Sequence, residues 1–138
     1  MNAELLNKAW TDLYYHLHYK HEESLTHQNI RCMQAVKKNE QATIQFISKI
    51  LDVTHHTASE HMKRLIQKGY VKKERSNADK RVVYVKLTEL GEEVLKKNTE
   101  LDEEKVQAVL KRFTDEEQKQ ISTAFALLAR EAKHVFSR

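Results

Sequence analysis

Residues 51–91 read LDVTHHTASEHMKRLIQKGYVKKERSNADKRVVYVKLTELG, and the organisation of the whole chain turns on them. Thr54 is a good N-cap, Ala58, Met62, Leu65 and Ile66 follow at helical spacing, and Gly69 supplies the left-handed residue that stops a helix. His56, Glu60, Lys63, Arg64 and Gln67 fall on the opposite side, so this helix buries one face and offers a hydrogen-bonding face outward. After Gly69 the pattern changes to alternation. Residues 70–75 and 82–87 are strand-like, with Val83, Val85 and Leu87 on one face of the second run and Val82, Tyr84 and Lys86 on the other. They predict a hairpin. Its tip lacks glycine, so a loop longer than two residues is expected, with Asn77 and Asp79 satisfying the backbone locally.

Working upstream, Thr43 caps an expected helix carrying Ile44, Ile47, Ile50 and Leu51 on one side. Only residues 51–54 separate it from the next helix, which suits the sharp corner of a helix-turn-helix. Leu5, Leu6, Ala9, Trp10, Leu13 and Leu17 predict a first helix over residues 3–20, and Ile30, Met33, Ala35 and Val36 a shorter one ending near Lys38 and Asn39. Downstream, Thr88 caps a helix expected to run unbroken to about Lys111. A capping box at residues 114–117 then opens a last helix with Ile121, Ala124, Phe125, Leu128, Ala132, Val135 and Phe136 on its stripe. A small helix-turn-helix unit cannot cover stripes this long, and a second copy of the chain is the simplest cover.

At 138 residues, with 32% charged and 40% apolar, the chain has the size and balance of one globular domain. We divide it into helical segments at 1–38, a helix-turn-helix with its hairpin at 40–90 and long helices at 91–138. Two glycines and no proline fit long helices with few breaks. No apolar stretch approaches the ~20 residues of a membrane span. Residues 1–20 lack the pattern of a secretion signal, and the lone Cys32 cannot form a disulfide within the chain. No membrane partner and a cytoplasmic location are expected. Net charge is +4, but residues 54–91 hold nine basic against four acidic side chains, which leaves the remainder slightly acidic. Charge gathered in this way is the electrostatic footprint of a surface for nucleic acid, though a merely solvated face has the same composition.

Residues 43–95 resemble the winged helix-turn-helix of the MarR family of bacterial transcription regulators, and the flanking helices resemble that family's dimerisation arms. The marks are Leu65 and Gly69 in RLIQKG, Asp79 and Arg81 in DKR, and Leu87, Thr88 and Gly91 in LTELG. The resemblance implies a mainly α fold with a small β-hairpin wing, plus long N- and C-terminal dimerisation helices. It implies a homodimer on double-stranded DNA, a palindromic operator, one helix per subunit in the major groove and one wing per subunit at the minor groove. Thr54, His55, His56, Thr57, Ser59 and Glu60 would then read bases or position the helix, with Lys63 and Arg64 on phosphates. Arg75, Lys80 and Arg81 would serve the wing, Arg81 entering the narrow minor groove while Asp79 holds its guanidinium in a bidentate pair. Glu60 departs from the pattern. A carboxylate so near DNA must accept from a cytosine amino group or pair with Lys63 or Arg64. The leading function is a sequence-specific repressor relieved by an effector; the alternative is a low-specificity global or architectural DNA-binding protein of the same fold, and a third is a winged helix that binds protein.

Other chemistry is weakly signalled. His16, His18 and His21 form H-x-H-x-x-H, but on a helix only the last two approach one another, and surface histidines are the expected account, with no metal and no cofactor. Cys32 is expected to be a small buried hydrophobe; the alternative is an oxidation sensor. Trp10, Tyr14, Tyr15 and Tyr19 either line an effector pocket or belong to core and dimer seam. No phosphate-cradling glycine loop or nucleophile elbow is present, so catalysis is not expected.

Overall fold

The computed structural model describes residues 1–20 and 23–137. Seven helices and two strands occur among them, in the order α1 (Ala3–Leu17), α2 (His27–Lys37), α3 (Ile44–Leu51), α4 (His55–Gln67), β1 (Val71–Arg75), β2 (Val83–Leu87), α5 (Glu89–Thr99), α6 (Glu103–Leu110) and α7 (Asp115–Phe136). They divide into two compact units, residues 19–100 and residues 1–18 with 101–138.

The first of these units holds the core. Met33, Ile47, Met62, Leu65, Val85 and Leu95 are completely enclosed, so α2, α3, α4, β2 and α5 each contribute to one apolar centre. Every helix that flanks the recognition elements begins at a threonine. Thr43, Thr54 and Thr88 each accept a hydrogen bond from the backbone N–H three residues on, at 3.1, 3.1 and 3.0 Å. The corner between α3 and α4 is made by Asp52 in the left-handed conformation, φ 55°, and closed by Val53 N–H donating to the Ser48 carbonyl at 3.0 Å. The hairpin is anchored from outside as well, since Val85 N–H donates to the Ala42 carbonyl at 2.8 Å. That bond ties β2 to the segment just ahead of α3.

Beneath the hairpin's root, buried Tyr70 donates its hydroxyl to the Glu23 carboxylate, and this bond together with burial pushes the phenol up to about 12. Asn98 holds the same segment from the other side: its Oδ1 accepts from Leu25 N–H at 3.1 Å and its Nδ2 donates to the Glu23 carbonyl at 2.9 Å. Cys32 is fully enclosed and burial pushes its thiol up to about 11. Its alkylation in the native protein is expected to run at least about a hundredfold slower than in denaturant, because the thiolate is the reacting species. Equal rates would show that the thiol is reachable and revive an oxidation sensor.

The second unit is different in kind. Among its described residues none is buried, although α7 carries an apolar stripe over its whole length. Within it, Asp102 N–H donates to the Leu17 carbonyl at 2.7 Å and Leu101 pairs with His18. The capping box at Thr114 is formed, with both reciprocal bonds at 3.0 and 3.1 Å.

Two expectations need correction. The helix expected to run unbroken from 89 to 111 is two, interrupted at residues 100–102, because Asp102 caps a new helix by accepting from Glu104 N–H at 3.0 Å. The first helix stops at Leu17 instead of continuing to residue 20, since His18 is already extended.

Candidate nucleic-acid interface

The helix α4 divides by face as its spacing requires. Ala58, Met62 and Leu65 are wholly enclosed, while His55, His56, Lys63 and Arg64 are exposed and Thr57, Ser59 and Glu60 are half-buried. Thr54, beyond capping, donates its hydroxyl to Thr57 Oγ1 at 2.9 Å, which fixes the first turn. Among the described residues no ion pair engages Glu60, Lys63 or Arg64. The helix therefore presents free donors and acceptors along the side that the core does not use.

The wing is an antiparallel pair in which Val71, Lys73 and Arg75 stand opposite Leu87, Val85 and Val83. Directly opposed residues point to the same side, so Lys73 and Arg75 share the face of Val83 and Val85, and Lys72, Glu74, Tyr84 and Lys86 take the other. At the tip, Ser76 N–H donates to the Val82 carbonyl at 2.9 Å, and the loop between them folds on Asp79. The Asp79 carboxylate accepts from the Arg81 backbone N–H at 3.0 Å and from Nε and Nη2 of the same arginine at 3.1 Å each. This fork holds the carboxyl below the usual carboxylate range and raises the guanidinium, which nonetheless leaves 90% of the arginine side chain open to solvent. Such a pair is worth little to stability in water. What it does is aim a cation outward. Arg75 is tethered in its turn, donating to the Lys80 carbonyl.

Between wing and helices lies a cleft of about 620 Å³. Its walls include His55, Lys73, Arg75 and Arg81, with Thr43 and Gln45 at the start of α3 and Ile44, Val82 and Val83 as the apolar part; no carboxylate lines it. Two helix N-termini face the same space, and their unsatisfied N–H groups favour an anion there. The fold thus gathers His55, Arg75 and Arg81, three of the expected residues. It leaves His56, Ser59, Glu60, Lys63 and Arg64 along α4, and Lys80 exposed at the wing tip. Sequence reading missed Lys73, Thr43 and Gln45. The signal for Lys73 was present, because it precedes Arg75 by two residues on a strand and so must share its face.

The aromatic candidates fall on α1 and just after it. Trp10 and Tyr15 are exposed on α1, Tyr14 stacks on His18 with centroids 5.3 Å apart, and Tyr19 belongs to the other unit. His18 also turns Nδ1 toward the Tyr14 carbonyl at 2.7 Å, and His21 lies outside the described residues. Among the described residues no cluster of three histidines, cysteines or carboxylates is placed to hold a metal ion. No described helix is long and apolar enough to cross a membrane.

Residues 15–98 match the family model described as transcriptional regulator SarA/Rot. No curated protein matches the chain. Solved structures with the same fold include a MarR-like transcriptional regulator from Thermotoga maritima (TM-score 0.68, 22% identity, covering 96% of this chain and 98% of that one). FabT of Streptococcus pneumoniae, solved in complex with DNA, aligns with TM-score 0.58 at 20% identity over 97% of this chain and 99% of that one. MepR of S. aureus, solved bound to ethidium bromide, aligns with TM-score 0.63 at 17% identity over 96% of each chain.

Proposed function

The chain belongs to the SarA/Rot family of transcriptional regulators, and from that premise we propose that it is a homodimeric, sequence-specific repressor acting on palindromic DNA, relieved by an effector. The observation that carries the DNA-binding geometry is the joining of α4's unpaired outer face to a wing whose arginine is held out in a bidentate fork. In this reading α4 enters the major groove from its N-terminal end, with His55, His56, Thr57, Ser59 and Glu60 toward base edges and Lys63 and Arg64 on phosphates. Arg81 enters the minor groove, and the carboxylate-free cleft between wing and helices receives the intervening backbone.

Dimerisation is supported by the unit made of α1, α6 and α7. It has apolar stripes and no buried residue among its described ones, so it needs a partner surface to have a core. The segments 1–38 and 91–138 supply that surface in our reading, and the segment 40–90 touches DNA. A MarR-fold neighbour solved with ethidium bromide supports a small-molecule effector, for which Trp10, Tyr14, Tyr15 and Tyr19 are the candidate contacts. A cytoplasmic place of action goes with the double-stranded DNA partner in this reading.

Arg81→Ala tests the wing. Its loss is expected to weaken duplex binding by about 1–3 kcal/mol and to reduce the slope of log affinity against log salt by about one. An unchanged affinity and slope would remove the wing from the interface.

A further inference from the structure

The outer face of α4 holds one acid among its cations. Glu60 is the sixth residue of the helix, on the side away from Ala58, with His56 one turn before it and Lys63 and Arg64 one turn after. Both cations stand at the spacing where a helical carboxylate ordinarily finds a partner. Glu60 nevertheless has neither an ion pair nor a hydrogen-bond partner among the described residues, and it is half-buried. A carboxylate carried between phosphates is repelled by them, and it loses hydration that nothing in this chain replaces. Something on the duplex has to donate to it.

We infer that Glu60 selects a cytosine in each half-site by accepting a hydrogen bond from its N4 amino group, an inference that rests on α4 being the recognition helix. The major groove offers two exocyclic donors, N4 of cytosine and N6 of adenine. Adenine N6 lies beside the N7 acceptor, whose lone pair opposes the second carboxylate oxygen, whereas cytosine N4 lies beside a C–H. Guanine O6 and thymine O4 face the carboxylate with lone pairs of their own. The charge that reads cytosine therefore rejects the other bases, and Glu60 contributes to specificity more by exclusion than by affinity.

The test is selection of duplexes from a randomised pool with the full wild-type chain, with Glu60→Ala and with Glu60→Gln. The wild-type set is expected to carry one C·G pair per half-site whose replacement by T·A lowers affinity about tenfold or more. Glu60→Ala is expected to accept all four pairs there within about threefold while the rest of the motif persists. Glu60→Gln is expected to move the preference to A·T, because an amide pairs bidentately with adenine N6 and N7; misfolding cannot imitate a new preference. A Glu60→Ala motif identical to the wild-type one at every position, or a glutamine variant still selecting cytosine, overturns the inference and leaves α4 as a base reader. A wild-type pool with no enriched motif overturns the recognition reading and this inference with it.

Discussion

Gly91→Ala is expected to destabilise the protein by about 3 kcal/mol or more and to weaken DNA binding along with it. A Cβ on Gly91 would sit 2.0 Å from the Tyr70 carbonyl oxygen and 2.8 Å from its carbon. These are backbone atoms at the root of the wing, and they are already committed. The Tyr70 carbonyl accepts from Thr88 N–H at 3.0 Å, and the Thr88 hydroxyl donates to the Gly69 carbonyl at 2.6 Å. Room for a methyl group can only come from parting α5 and the start of β1, which breaks the cap and tilts the hairpin. For a chain of this size the fall in Tm is about 10 °C or more. Gly69→Ala is the internal comparison. That glycine has φ +81°, but an added Cβ meets only the Leu90 side chain at 3.9 Å, so the cost is the backbone conformation alone, about 1–2 kcal/mol. Thermal melts in which Gly91→Ala is no worse than Gly69→Ala would contradict the close approach.

The second large effect concerns the arms. Ile121, Ala124, Phe125, Leu128, Ala132, Val135 and Phe136 form one stripe on α7, and Phe125 and Leu128 near its middle are 48% and 50% exposed in the single chain. Placing a glutamate at both positions is expected to leave α7 helical but to put two charges where a second copy would pack. The double variant should sediment as a monomer at micromolar concentration. With one half-site engaged instead of two, duplex affinity should fall by about 10² to 10⁴. Wild-type mass and wild-type affinity in this variant would remove α7 from the dimer surface.

Much of this was legible because local chemistry and long-range packing agree. Thr43, Thr54, Thr88 and Thr114 mark four of the helix starts, each with its side chain three residues from the N–H it accepts, and Thr26 caps α2 in the same way. The two periods, helical before Gly69 and alternating after it, are set by burial on one face, which sequence records directly. The bidentate pair of Asp79 and Arg81 is likewise local, two residues apart on a loop. What sequence hid is what depends on distant partners. The break after Thr99 contains neither glycine nor proline, and Leu101 continues the apolar stripe. It is decided by pairing with His18 and by Asp102 N–H bonding the Leu17 carbonyl, contacts from the far end of the chain. The bond from Val85 to Ala42 was hidden for the same reason, because a single residue before α3 has no period to read. The cleft escaped notice because it takes residues from α3, α4 and both strands, and its volume belongs to none of them alone.

In the function proposed, two chains together read one duplex by sequence. The most direct measurement is analytical sedimentation of the protein with its best selected duplex, joined to affinities for that duplex and for random duplex at one physiological salt concentration. The proposed function requires two chains per duplex and an affinity for the selected site about 10³-fold or more above that for random DNA. One chain per duplex, or affinities that do not differ, would contradict it.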